Sequence, residues 1–303
     1  MSRPLTSLAL AAAILIPLAG CNNETPSKPA DAGKKVIGFS AYDMKYEFFQ
    51  QMEKGTRERA LELGYVFQLH DQKGDELLMV SGCKSLLNQG VAALIVSPCK
   101  PDALGAIVEA ARKAGRPIVI DDIGGGGTEY NAIVVSDNFG GGALAGKYLV
   151  DKLGPGNGRQ VAIIKCEPSA VYAVRRGEGF KKAVTEAGYS VVSEMSGHSK
   201  TEEGYSKMKN ILAANPDLVA VFCENDPMAV GAAQSVNEAG KKGKLLVIGF
   251  NADGIAVDAI KAGLMAATVS QAPETMGRMT VDLTDRLLKK EALKFDDAEK
   301  REI

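Results

Sequence analysis

Short polar side chains recur where apolar runs end along this 303-residue chain. In the first half these are Tyr42 and Asp43, Asp71, Ser97, and Asp121 with Asp122; in the second, Cys166 and Glu167, Glu224-Asn225-Asp226, and Asn251. Aromatic residues lie close by at Tyr46, Phe48, Phe49 and Tyr172. The mixture suits a polyhydroxylated ligand. Carboxylates and amides bond paired hydroxyls, an arginine bridges two oxygens, and rings cover C–H faces. A plainer role competes at each position, because Ser, Asp and Asn commonly cap the helix that follows a strand. Taken as a group, they favour a binding cleft.

Other chemistries find less support. Two histidines and five scattered cysteines, with no C-x-x-C, offer little to zinc. No G-x-S-x-G accompanies His70 or His198, and paired carboxylates alone do not make a glycosidase. The run Gly140-Gly141-Gly142-Ala143-Leu144-Ala145-Gly146 is loosely like a dinucleotide loop, but its spacing is G-x-G-x-x-x-G and no Gly-Lys-Ser/Thr occurs. Close helix packing explains those glycines better than a Rossmann-type nucleotide enzyme does. Lys and Arg number 36 against 37 Asp and Glu, a net charge of −1, so no basic excess exists to hold a nucleic acid. With 46% hydrophobic and 24% charged residues the chain is ordinarily globular, and at roughly 150 residues per domain its length suggests about two domains. Neither a cofactor, a metal nor a nucleic-acid partner is expected.

The elements that must position these residues form one pattern written twice. Strands are expected at 36–41, 65–69, 92–96, 117–120, 133–135, 161–164, 190–193, 218–222, 245–249 and 266–269. Helical spacing of apolar residues occupies 48–63, 77–87, 104–114, 177–187, 229–239 and 274–289. Strands apolar throughout and separated by helices imply parallel sheets covered on both faces, the α/β architecture. In such sheets ligands bind beyond the carboxyl ends of the strands, where the polar residues fall. The junction Ala60-Leu61-Glu62-Leu63-Gly64-Tyr65 recurs 124 residues later as Val184-Thr185-Glu186-Ala187-Gly188-Tyr189. Ala114-Gly115 before PIVI recurs 125 later as Ala239-Gly240 before LLVIGF. Two similar doubly wound parallel-sheet lobes joined by a hinge follow: lobe one at 34–136 plus about 272–297, lobe two at 137–271.

The first twenty residues read as an export signal, with Arg3 as the only charge and an apolar run too short to span a bilayer comfortably. Its end, Leu18-Ala19-Gly20-Cys21, resembles the lipobox of bacterial lipoproteins, in which the cysteine takes the lipid. The polar, Pro-rich stretch from 21 to 33 reads as a tether. The body is therefore expected to be exported and lipid-anchored to the cell envelope: periplasmic side in a diderm, outer face in a monoderm. Cys166 and Cys223 end strands that could be sheet neighbours. They are either a disulfide of an oxidising envelope or buried free thiols.

From Val36 onward the chain resembles bacterial periplasmic sugar-binding proteins of the ribose-binding class, whose type I fold is shared with lactose-repressor-like regulators. The resemblance rests on Phe48-Phe49, Pro117-Ile118-Val119-Ile120-Asp121-Asp122, Ser136-Asp137-Asn138, Arg176-Gly177-Glu178-Gly179-Phe180, Glu224-Asn225-Asp226, Gly249-Phe250-Asn251 and Ser270-Gln271, in the family's order. It implies a monomeric binding protein that hands a small sugar or polyol to the permease of an ABC importer and catalyses nothing; a sensor serving a membrane chemoreceptor or kinase is the alternative. Carried over, Phe48 and Phe49 pack on the ligand ring, Asp122 accepts from hydroxyls, Arg176 donates to oxygens, and Asn225 and Gln271 add amide contacts. Ser136 and Asp137 mark a hinge crossing, with Ser97 secondary. Departures bear on which ligand is bound: Tyr46-Glu47 replaces the usual Asn-Pro, Ile123 stands where an Arg commonly follows the cleft Asp, Asn251 replaces an Asp, and Ser199 stands in place of an aromatic.

Overall fold

The computed structural model describes residues 33–124, 127–168, 170–297 and 300–303. The expected export signal, Cys21 and all of the tether but Gly33 lie outside them. One sheet is built from β1 (Val36–Ala41), β2 (Val66–Asp71), β3 (Ala93–Val96), β4 (Ile118–Asp121) and β5 (Ala132–Val134), in the order β2-β1-β3-β4-β5. The other comprises β6 (Gln160–Lys165), β7 (Ser190–Ser196), β8 (Leu218–Cys223), β9 (Leu246–Asn251) and β10 (Ala267–Ser270), in the order β10-β9-β8-β6-β7. Neighbouring strands are parallel throughout. Helices α1 (Glu47–Glu62), α2 (Glu76–Asn88) and α3 (Leu104–Lys113) cover the first sheet, and α4 (Asn138–Leu153), α5 (Val171–Glu186), α6 (Thr201–Ala214), α7 (Asp226–Glu238) and α8 (Gly254–Lys261) cover the second. A last helix, α9 (Pro273–Leu288), returns to the first sheet and lies along α1.

The burial pattern explains the order. Strands β3, β4 and β5 are buried at every position, whereas the edge strands β2 and β7 are half exposed along their length. The repeated junction produces the same local structure twice. Gly64 and Gly188 take φ of +83° and +86°, and Tyr65 and Tyr189 donate back to the carbonyls of Ala60 and Val184 at 2.9 Å. This is the helix-ending turn that favours glycine. The chain leaves the first sheet after Val134 and enters α4, whose first turn is capped by Asp137 Oδ1 accepting from Gly140 N at 2.8 Å. It returns after Ser270 into α9, where Arg59 meets Asp282 at 2.7 Å and Tyr65 donates to Asp285 at 2.7 Å.

One feature departs from the sequence reading, and one alternative it left open is decided. The C-terminal tail pairs with the outer edge of β5: Ile133 N donates to Arg301 O, and Ile303 N to Ile133 O, both at 3.0 Å. Too short and too mixed to read as a strand, it covers an edge that would otherwise be open. Cys166 and Cys223, the candidate disulfide, are buried free thiols. Register explains this: Cys223 sits opposite Ile164, so Cys166 lies two residues further along, roughly 6–7 Å at the rise of a strand.

The glycine run Gly140–Gly146 opens α4 and brings it against α5 backbone to backbone. A Cβ on Gly142 would fall 1.9 Å from the Arg176 carbonyl, and one on Gly179 would fall 2.0 Å from the Phe139 carbonyl. Gly179→Ala is therefore expected to cost about 1–3 kcal/mol by overpacking, read as a fall of several degrees in thermal denaturation. Gly105→Ala, whose Cβ would meet nothing closer than 3.5 Å, should leave Tm unchanged or slightly raised. A wild-type Tm for Gly179→Ala would contradict the packing account.

Candidate functional site

The carboxyl ends of the two sheets face one cleft, with an empty volume of about 660 Å³ counting its open mouth. All eight residues expected to touch a ligand line it: Tyr46, Phe48, Phe49 and Asp122 from the first lobe, and Arg176, Asn225, Asn251 and Gln271 from the second. The first-lobe wall is aromatic and pre-arranged. The Phe49 ring stacks on Tyr42, with centroids 5.1 Å apart and an interplanar angle of 6°, and Phe48 meets Phe49 edge-on at 5.2 Å. Both phenylalanines sit in the first turn of α1 and are buried from bulk solvent.

Opposite them Arg176 projects from α5. Its Nε donates to Asn138 Oδ1 at 2.7 Å, and its Nη1 donates to the Glu224 carbonyl at 2.9 Å and to Asn251 Oδ1 at 3.4 Å. The guanidinium lies 4.2 Å from the Phe250 ring centre. These partners are neutral, so they fix the cation without neutralising it. Asp122, at the end of β4, is 6% exposed and makes no direct ion pair with Arg176, whose charge nonetheless reaches it. Backbone strain gathers at the same place. Asp122 has φ +66°, Asn251 φ +124° and Ala252 φ +64°, conformations that persist only where surrounding structure enforces them.

Capping and cleft roles coexist at Asn225, whose Oδ1 caps α7 by accepting from Met228 N at 3.2 Å while the side chain lines the cleft. Gln271 donates to Asn251 Oδ1 at 2.8 Å, and its own Oε1 is buried with no partner among the described residues. Several strand-end residues turn away. Asp71 accepts from the Met44 and Lys73 amides, Asp43 pairs with Lys45, and Asp226 braces Asp253 N and Thr268. Ser97 is buried with its hydroxyl 3.4 Å from Met52 Sδ, at neither crossing between the sheets nor in the cleft. Ser136 and Asp137 do lie on the crossing from β5 to α4, with Ser136 Oγ 3.3 Å from Met276 Sδ. His70 accepts or donates to Ser40 at 3.0 Å, and His198 pairs with Glu203 outside the cleft.

Sequence reasoning missed Asp253 as a cleft residue. It lies in the turn after β9 rather than at a strand end, it is 6% exposed, and among the described residues its carboxylate meets only the Asn251 amide, at 3.5 Å. Contacts across the cleft mouth were also not foreseen. Tyr42 donates to Glu167 Oε1 at 3.3 Å, Glu47 Oε2 accepts from Gly254 N at 2.7 Å, and the Tyr172 ring packs where a side chain at Gly124 would be.

Two lobes of parallel α/β sheet enclosing a polar, ring-lined cleft define a two-lobed binding protein. Residues 37–292 match the family model described as periplasmic binding protein domain. The ribose import binding protein of Bacillus subtilis is 34% identical over 276 residues, covering 89% of each chain. Among solved structures, a periplasmic solute-binding protein of an ABC transporter from Actinobacillus succinogenes with bound D-allose superposes with a TM-score of 0.80, at 28% identity, over 86% of this chain and 94% of that one. One from Bacillus halodurans with bound myo-inositol gives 0.79, at 28% identity, over 87% and 92%. The chain belongs to the type I periplasmic sugar-binding protein family.

Burial dominates the electrostatics. It raises Asp122 and Asp226 to about 6 and Glu224 and Asp253 to about 7, and it holds Asp121 well above the ordinary carboxylate range. Each group binds its proton more tightly folded than unfolded, so from about pH 4 to about pH 7 stability falls as pH rises. His70, lowered by burial, acts the other way, as do Glu62, Glu109, Glu194, Glu203 and Asp285, but these five carboxylates lie below the ordinary range and act mainly below about pH 5. Without added sugar, Tm should be higher near pH 5 than near pH 7.5, and Asp253→Asn should narrow the gap. A Tm equal or higher at the upper pH would contradict this.

Proposed function

We propose that this protein captures a small neutral sugar, polyol or close relative between its lobes and delivers it to the permease of an ATP-driven importer, acting as a monomer and performing no catalysis. The observation that carries this reading is the opposition of Asp122 and Arg176 across a ring-lined cleft, close to each other yet not paired. A ligand hydroxyl between them accepts from one side and donates to the other. The relatives' names and bound molecules (ribose, D-allose, myo-inositol) mark the chemical class. The departures at Ile123 and Asn251 change the charge pattern enough that none of the three is assigned here.

The lobes are proposed to span 34–136 with 272–297, and 137–271, and to hinge at the two crossings. Each lobe carries half a site, so a ligand gains its full set of contacts only in the closed form and shifts the population toward it. Cys21 is proposed as the lipidated residue that holds the body to the membrane, with 22–33 as spacer. Export follows from the family; the lipid anchor rests on the Leu18-Ala19-Gly20-Cys21 sequence.

Two experiments test this. Isothermal titration of residues 22–303 with pentoses, hexoses and inositols should find a ligand. Asp122→Ala and Arg176→Ala should each weaken it by about 1–3 kcal/mol, roughly 5- to 150-fold, because a polar partner is left unmatched in a dry site. Unchanged affinity in both variants would displace the site from this cleft. Expressed in a bacterial host, the full chain should partition with membranes, and Cys21→Ala should release it to the soluble fraction. Membrane retention of the variant would remove the anchor.

A further inference from the structure

The charges and rings of the cleft narrow the ligand class, on the reading that it binds a sugar or polyol. Three carboxylates line it, Asp122, Glu167 and Asp253, against one cation, Arg176. No second Lys, Arg or His lines it among the described residues; Lys45, just outside, is drawn 2.7 Å from Asp43 and lies over the Tyr46 ring. The carboxylates differ in how they are served. Glu167 accepts two hydroxyls, from Tyr42 at 3.3 Å and Ser199 at 2.6 Å. Asp122, more than nine-tenths buried and reached by no side-chain or backbone donor among the described residues, faces the field of Arg176.

Asp253 is less well served: the Arg176 charge reaches it more weakly than the negative charges of Asp226 and Glu47 that flank it, and its one polar contact among the described residues is the 3.5 Å approach of the Asn251 amide. Asp226 Oδ2 holds its own backbone N–H at 2.8 Å, and Glu47 Oε2 holds the next amide, Gly254 N, at 2.7 Å. The same cleft is lined by the rings of Tyr42, Tyr46, Phe48, Phe49 and Tyr172. Hydroxyls of a neutral sugar satisfy carboxylate lone pairs but do nothing to hold these carboxylates ionised in a dry site, where an unbalanced charge is costly. An ammonium group supplies both hydrogen bonds and charge, and the faces of aromatic rings attract it further.

We infer that the cleft is built for an amino sugar or amino polyol, its hydroxyls between Asp122 and Arg176 and its ammonium against Asp253 and the aromatic wall. The same arrangement disfavours sugar acids, whose carboxylate would add a fourth negative charge.

The test is titration calorimetry on matched sets: glucose, glucosamine and glucuronate; galactose, galactosamine and galacturonate; myo-inositol and an amino-inositol. In at least one set the amine should bind about tenfold more tightly than its hydroxyl parent, and the acid should bind most weakly. In Asp253→Asn the ratio of amine to parent affinity should fall toward one, with Asp253→Glu restoring part of it; thermal melts of both variants show that they fold. Parents that bind as tightly as their amines would overturn the inference and leave the sugar reading standing. Binding by neither amines nor parents, across these sets and the pentoses, would overturn both.

Discussion

A guanidinium buried to 7% exposure and held by neutral acceptors is the constraint around which the second lobe is arranged. Such a charge is tolerated only when its donors are met. Three separate elements meet them: Asn138 opens α4, the Glu224 carbonyl directly follows β8, and Asn251 ends β9, where the neighbouring Phe250 ring covers the guanidinium. The glycines of α4 serve the same end, since Gly142 lets that helix approach until its backbone touches the Arg176 carbonyl. Helix packing, strand register and the strained turn at Asn251 thus converge on the placement of one side chain.

The first lobe answers with a carboxylate rather than a second cation. Asp122 is held in a left-handed conformation at the end of β4, and the aromatic wall is locked by stacking before any ligand arrives. Preorganised halves of this kind lose little freedom on binding. Among the described residues, direct contacts across the mouth are few: one long hydroxyl–carboxylate bond, a second from Tyr172 to Glu302 of the tail at 3.0 Å, one carboxylate on a backbone amide, and a tyrosine ring on a glycine. So small a set leaves most of the drive toward the proposed closure to whatever the cleft binds.

Much of this was legible in the sequence because parallel sheets make strand ends and ligand positions the same thing. All ten strands lie where apolar runs place them, within about two residues at most ends, and the long-range repeat at Gly64 and Gly188 returns as two identical turns. What escaped did so for physical reasons. Asp253 follows its strand by two residues, in a turn whose path depends on the unusual φ of Asn251 and Ala252. The tail that covers β5 has no periodicity of its own and is specified by the edge it fills. Helices α4, α6 and α8 fall outside the expected helical runs; α4 opens on a run of three glycines, and α8 spans only eight residues, little length over which to read a period. Asp43, Asp71 and Asp226 have the composition of site residues yet brace loops, a distinction that only the direction of a side chain reveals. For Cys166 and Cys223 the sequence shows sheet adjacency but not register, and it is the register, Cys223 opposite Ile164, that decides for free thiols.

The account depends on two half-sites brought together by one ligand, and small-angle X-ray scattering addresses that most directly. With a saturating sugar or amino sugar identified by titration, the radius of gyration of residues 22–303 should fall, and it should fall much less in Arg176→Ala at the same ligand concentration. A wild-type protein that binds its ligand with no change in scattering would contradict closure between the lobes.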